Sequence, residues 1–252
     1  MTGRRRERGR KPFDSDTVAR SSLVSEEVVP VTMVERGAAG SPAYRALGHD
    51  DAQIRMRAAM EVGSRPDGGY VAGLVERCAV EPELFVRETL TWALTRHPAE
   101  LTVPALVAEL RSEGARARSQ ALHTLSKIGD QAAWPAITKE LMRDADDEVA
   151  RTAWRAAVGL APEGERPALA EELARQLGRG TRDTQLSLSR ALIALGEAGV
   201  PVLRAASAGG DPVARVHALA TEQLARDPEV SFALAIEEAR RVVGPGQEET
   251  TG

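Results

Sequence analysis

Val103-Pro104-Ala105-Leu106, Trp134-Pro135-Ala136-Ile137, Arg166-Pro167-Ala168-Leu169 and Val200-Pro201-Val202-Leu203 repeat one pattern: a proline, a small residue and a large aliphatic. The prolines are 31, 32 and 34 residues apart. A fixed period of this length marks a stack of small units, each unable to bury its apolar face except against its neighbours. The period predicts one elongated domain rather than two globular ones.

About fourteen residues after each of these motifs comes a second one, in which an apolar residue and Arg precede a small or apolar residue. It reads Ile54-Arg55 with Ala58 and Val62, Val86-Arg87 with Leu90 and Leu94, and Ala117-Arg118 with Ala121 and Leu125. It continues as Ala150-Arg151 with Trp154 and Val158, Ser187-Leu188 with Ala191 and Leu195, and Ala214-Arg215 with Ala218. Apolar residues four and eight positions apart define one face of a helix. Gly, Pro and Asp punctuate the intervals, as in Gly129-Asp130 and Gly209-Gly210-Asp211-Pro212, where Gly ends a helix and Asp caps the next.

This punctuation predicts second helices near 51–63, 83–96, 114–128, 147–160, 181–195 and 211–225. First helices fall near 68–80, 101–112, 131–144, 165–178 and 197–207, with the opening one either 42–47 or a longer stretch from about 30. A helix near 229–243, mixing Phe232, Leu234, Ile236 and Val242 with Glu237, Glu238, Arg240 and Arg241, predicts a cap. The expected division is a disordered basic arm at 1–14, an apolar extension at 15–40 that docks on the first repeat as an N-terminal cap or else on a partner, the repeat stack at 41–228, the capping helix at 229–244 and a disordered tail at 245–252.

Composition agrees: aromatics are 3%, hydrophobics 42%, and the abundance of Ala and Leu favours helices. One cysteine, Cys78, excludes an internal disulfide framework and a multi-cysteine zinc site, and it lies at a packed rather than reactive position. With no signal-like or membrane-length apolar run, the expected location is cytoplasmic and no membrane partner is implied.

Arg4, Arg5, Arg6, Arg8, Arg10 and Lys11 place six of the 33 basic residues in the first twelve positions, against one of the 37 acidic ones. The remainder carries 27 basic and 36 acidic residues, a net of −9. Such a body repels phosphate backbones, so nucleic acid is an alternative partner only through this arm.

The Pro-Ala-Leu of the first helices and the Asp-Pro-x-x-Arg-x-x-Ala of the second, clearest at Asp211, Pro212, Arg215 and Ala218, resemble the HEAT repeat family over roughly residues 41–228. The resemblance is to its short bacterial, phycobilisome-lyase-like type. It implies an all-α, armadillo-like α-α superhelix of about six antiparallel helix pairs, and a scaffold or adaptor binding another protein or peptide on its concave face. Family members also include lyases and other enzymes or enzyme subunits, which stand as the alternative.

In such stacks the arginine column Arg55, Arg87, Arg118, Arg151 and Arg215 is architectural, and Asp51, Glu83, Asp147 and Asp211 are expected to pair with it one helical turn earlier. Leu188 in the Arg place and Trp154 in the small place depart from the pattern.

Chemistry has little to stand on. His49, His97, His123 and His217 fit no metal-ligand spacing, and the repeated His-Glu pairs through which the HEAT-type iron enzyme deoxyhypusine hydroxylase binds metal do not occur. A P-loop, a dinucleotide fingerprint and Gly-x-Ser-x-Gly are missing too, so no metal, cofactor or catalytic residue is expected. Base-excising HEAT-like enzymes use tryptophans in a basic groove, but Trp134 and Trp154 fall at packing positions. A helical wheel instead turns Met56, Met60, Glu88, Trp92, Ser119, His123, Thr152, Ala156, Ser189 and Ile193 away from the core, with Arg57, Gln120, Arg155, Arg190 and His217 as a polar rim. Met60, Trp92 and His123 share one position in successive repeats and are the expected anchors for a partner.

Overall fold

Several helices begin where the sequence offers a side-chain acceptor for the unpaired amides of a first turn. Asp51, Asp146, Thr181 and Asp211 each accept a hydrogen bond from a backbone N–H two or three residues on. The structure is a computed structural model and describes residues 40–244. Over this span the chain forms thirteen α-helices and no strand.

The second helices are α2 (Ala52–Ser64), α4 (Leu84–Arg96), α6 (Ala115–Ile128), α8 (Asp147–Leu160), α10 (Arg182–Ala194) and α12 (Pro212–Arg226). Each packs on the next to form one layer. The other layer holds α1 (Pro42–Ala46), α3 (Val71–Val80), α5 (Ala99–Glu109), α7 (Lys139–Met142), α9 (Arg166–Ala174) and α11 (Gly199–Ser207). The last helix, α13 (Phe232–Val243), covers α12. Alternating layers of this kind are an α-α superhelix.

The opening first helix is the short alternative, Pro42–Ala46. The basic arm at 1–14, residues 15–39 of the apolar extension and the tail from 245 lie outside the described residues.

One first helix differs from its predicted span. Residues 131–144 form a 3-10 turn, Gln131–Ala136, and then the four-residue α7. Pro135 removes an amide donor and its ring opposes the carbonyl a turn back. Ile137 leaves helical geometry at φ −83°, ψ 83°, and Thr138 starts a new helix by capping the Leu141 amide.

Most of the apolar interior is one continuous core from Ala43 to Ala218. Trp154, fully buried, donates its indole N–H to the Met142 carbonyl at 2.8 Å and lies under the Arg179 guanidinium. Trp134 is half-buried against the same core. Cys78 is buried, and burial pushes its thiol up to about 12, leaving no reactive thiolate. No single helix among the described residues is long and apolar enough to cross a membrane.

The arginine column is architectural, but through other partners than the expected ones. The Nη1 of Arg55 donates to the carbonyls of His49 and Asp50, that of Arg87 to Glu81 and Pro82, and that of Arg118 to Ser112 and Glu113. Each arginine thus closes the loop that precedes its own helix. The remaining guanidinium edge reaches the next repeat: Arg55 pairs with Glu81 at 2.7 Å and Arg118 with Asp144 at 2.9 Å. The acidic residues one turn earlier do not pair with these arginines, because Asp51 and Asp211 spend their oxygens capping helices. Asp147 accepts instead from Arg179 and Thr184.

Candidate functional site on the second-helix face

Counting from each N-cap aligns the second helices better than the Arg motif does. The caps are Asp51, Glu83, Gly114, Asp146, Thr181 and Asp211. Four residues on stand Arg55, Arg87, Arg118, Ala150, Gln185 and Arg215. Arg151 is therefore one residue out of the clamping place. Among the described residues it pairs only with Glu148, and its Nε is buried with no partner among them. Leu188 and Trp154 cease to be departures, since the small or apolar place seven residues after the cap holds Ala58, Leu90, Ala121, Ala153, Leu188 and Ala218.

Nine residues after the first five caps stand Met60, Trp92, His123, Arg155 and Arg190, while the sixth repeat places Ala220 there, buried against α13. Met60 is 50% and Trp92 42% exposed, His123 is half-buried, and Arg155 and Arg190 are exposed. Of the outward stripe expected from the Arg motif, Met60, Glu88 and Trp92 are exposed, while Met56, Ser119, His123 and Ile193 are half-buried. Thr152, Ala156 and Ser189 are buried between helices. Of the expected rim, Gln120 and His217 are buried too, whereas Arg57, Arg155 and Arg190 are exposed. Arg155 and Arg190 belong to the column itself.

Around this column α4, α6 and α8 enclose a groove of about 610 Å³, bringing together Glu88, His123 and Arg155 with Arg116, Gln120 and Thr152 between them. Gln120 donates to the Thr91 hydroxyl at 2.9 Å, and Thr91 and Thr124 lie 3.3 Å apart beneath the floor. This buried polar seam holds α4 and α6 in fixed register. His123 Nε2 is 3.5 Å from Glu88. Burial holds the His123 imidazole below its ordinary pKa, with Lys127 and Arg155 acting in the same direction against the opposing pull of Glu88. Arg155 donates to Thr152 at 3.0 Å and reaches Glu148 at 3.5 Å.

Trp92 does not line this groove; it stands on α4 four residues after Glu88, which does, and it meets α2. Its ring lies against Gly63, where an added Cβ would come within 2.5 Å of Cζ3. One face of the indole is thereby seated on backbone while the rest meets water. Met60 lies on the same helix as Gly63, and Met56, also on α2, is half-buried against the core. Leu84 and Phe85, which the sequence reading did not single out, add apolar surface at the start of α4 with 62% and 41% exposure.

Among the described residues, no cluster of three His, Cys, Asp or Glu side chains could hold a metal. Ser189 and His217 do meet, with Oγ 3.0 Å from Nε2, and superficially suggest a nucleophile and its base. The opposite ring nitrogen excludes that role. Nδ1 accepts the Gly178 N–H at 2.9 Å, so the proton of the neutral ring sits on Nε2, which donates to the Gln185 carbonyl. His217 cannot take a proton from Ser189 in that tautomer. Burial depresses its pKa to about 4, partly opposed by the Gln185 bond, and both side chains are shielded from solvent.

Neither a protein-family model nor a curated protein matches this chain. Among solved structures, it is similar to an engineered protein from the Northeast Structural Genomics Consortium, with 20% identity over 82% of this chain and 97% of that one and a TM-score of 0.42. Human deoxyhypusine hydroxylase in complex with glycerol has 20% identity over 82% of this chain and 96% of that one, also with a TM-score of 0.42. A second engineered protein has 22% identity over 82% of this chain and 61% of that one, with a TM-score of 0.39. No residue role passes to this chain from likenesses at this level.

Proposed function

We propose that this chain is a HEAT-type scaffold or adaptor whose second-helix face, the concave side of such a stack, binds a segment of another protein. The observation that carries the reading is the exposed pair Met60 and Trp92, which hold the same place after their caps as His123 and Arg155 of the groove. A half-exposed indole seated on a glycine loses little side-chain entropy when a partner covers it, and Met adapts its shape to what it meets. The polar groups of the groove offer hydrogen bonds that orient a bound chain, as in other recognition grooves.

Selection of a displayed random peptide library on the full chain, compared with the Trp92→Ala variant, tests this. Enriched peptides that lose binding to Trp92→Ala, while the two proteins melt within a degree or two of each other, support the proposal. Peptides indifferent to Trp92, or a large loss of stability in the variant, would exclude this face as the docking surface.

A further inference from the structure

The column nine residues after the caps changes character along the stack, from Met60 and Trp92 through His123 to Arg155 and Arg190. Among its neighbours in the third to fifth repeats, Arg116, Lys127 and Arg151 balance Asp146, Glu148 and Asp183, so that Arg155 and Arg190 set the sign. This stretch is net basic on a body whose net charge, outside the first twelve residues, is −9. Arg190 is exposed, and whereas Arg179 and Arg182 pair with Asp147 and Glu237, it makes no ion pair among the described residues. Besides its bond to Thr152, Arg155 has among the described residues only a long ion pair with an exposed Glu148, which an incoming carboxylate can replace at little cost.

Resting on the peptide-binding proposal above, we infer that the partner is a protein segment of uneven character, with apolar side chains over Met60 and Trp92 and carboxylates over Arg155 and Arg190. Packed helices lie about 8–10 Å apart, and an extended chain advances about 3.3 Å per residue, so each repeat spans roughly three residues of ligand. The carboxylates then fall about five to nine residues from the side chain on Trp92, matching two and three repeats. Their polarity sets the direction in which the segment lies.

Stacked aromatic and basic side chains also suit single-stranded nucleic acid. The interspersed Glu88, Asp146, Glu148 and Asp183 disfavour it, since a phosphate backbone carries charge at every step whereas a peptide places it at chosen ones.

The same library selection distinguishes these cases when repeated on full-length Arg155→Glu/Arg190→Glu, which keeps the basic N-terminal residues. The inference expects peptides with Asp or Glu at that spacing from an aromatic or aliphatic residue, and binding weakened by about tenfold or more in the double variant. Peptides that depend on Trp92 but show no acidic bias and no response to the double variant overturn the polarity while leaving the docking face intact. No Trp92-dependent peptide at all overturns both. A short oligothymidylate that binds in a Trp92-dependent manner, where acidic peptides do not, replaces the inference with nucleic-acid recognition.

Discussion

Glu81 and His217 are the two buried ionisable groups on which pH acts most directly. Burial alone would raise the Glu81 carboxyl, but bonds from Arg55, the Glu83 amide and Arg77 outweigh it and hold the group at about 2. Its contribution is present above the unfolded value of about 4.5 and is lost as pH falls from there toward 2. His217, depressed to about 4 from 6.5, destabilises the fold as pH falls through a window above that of Glu81, because the unfolded chain binds a proton that the folded ring refuses. Stability should therefore decline between pH 6.5 and 4 by at most roughly 3 kcal/mol from this residue. Urea titrations at successive pH values check this, and His217→Gln should flatten that window and leave the Glu81 window in place. Replacing Glu81 by Gln leaves the Arg55 charge buried and should cost about 3–5 kcal/mol, whereas Arg55→Met with Glu81→Leu should recover most of it. The sequence reading did not single out Glu81 and put His217 on an outward rim, because their partners lie 26 and 39 positions away, at Arg55 and Gly178, beyond the reach of any local pattern.

Helices were legible because their signals are local. A cap acts within three residues and the apolar face repeats within four, so Asp51, Thr181 and Asp211 announce helices wherever the stack puts them. The broken first helix shows the limit of that reading: Pro104 is tolerated inside α5, while Pro135 is followed by a residue that leaves the helix and a threonine that caps a new one. Close approach of two helices is likewise invisible until they are packed. Gly63 admits the Trp92 ring and the backbone of Ala93, the latter at 2.9 Å from an added Cβ, whereas Gly159 near the end of α8 faces nothing within 4 Å. Gly63→Val should destabilise by about 1–3 kcal/mol and alter Trp92 emission. Gly159→Ala should stabilise by up to about 1 kcal/mol. Thermal melts with fluorescence detection separate the two outcomes.

Across the whole described stack, stability is unevenly distributed. Ala220, Phe232, Ala235, Ile236 and Ala239 form a small core of their own between α12 and α13, apart from the continuous core that ends at Ala218. The Ser189, His217 and Thr221 side chains lie hydrogen-bonded between α10 and α12 next to it. Phe232→Ala should therefore open α13 and the end of α12 while leaving the earlier helices protected, a pattern hydrogen exchange resolves helix by helix. Trp154→Ala, by contrast, removes the largest fully buried side chain and should cost about 3–5 kcal/mol with loss of protection on both sides of α8.

By itself the sequence determined the helical class, the period and nearly every helix start, because propensity, capping and amphipathic spacing operate over a few residues. Met60, Trp92 and His123 were legible as one column for the same reason: their repeats keep the same distance between cap and arginine. Tertiary structure decided what joins them. Shifts of one residue at Arg151 and three at Leu188 bury Ala156 and Ser189 and turn Arg155 and Arg190 outward. Which side of a helix meets solvent depends on where the neighbouring repeat packs, and that contact spans about thirty residues of sequence.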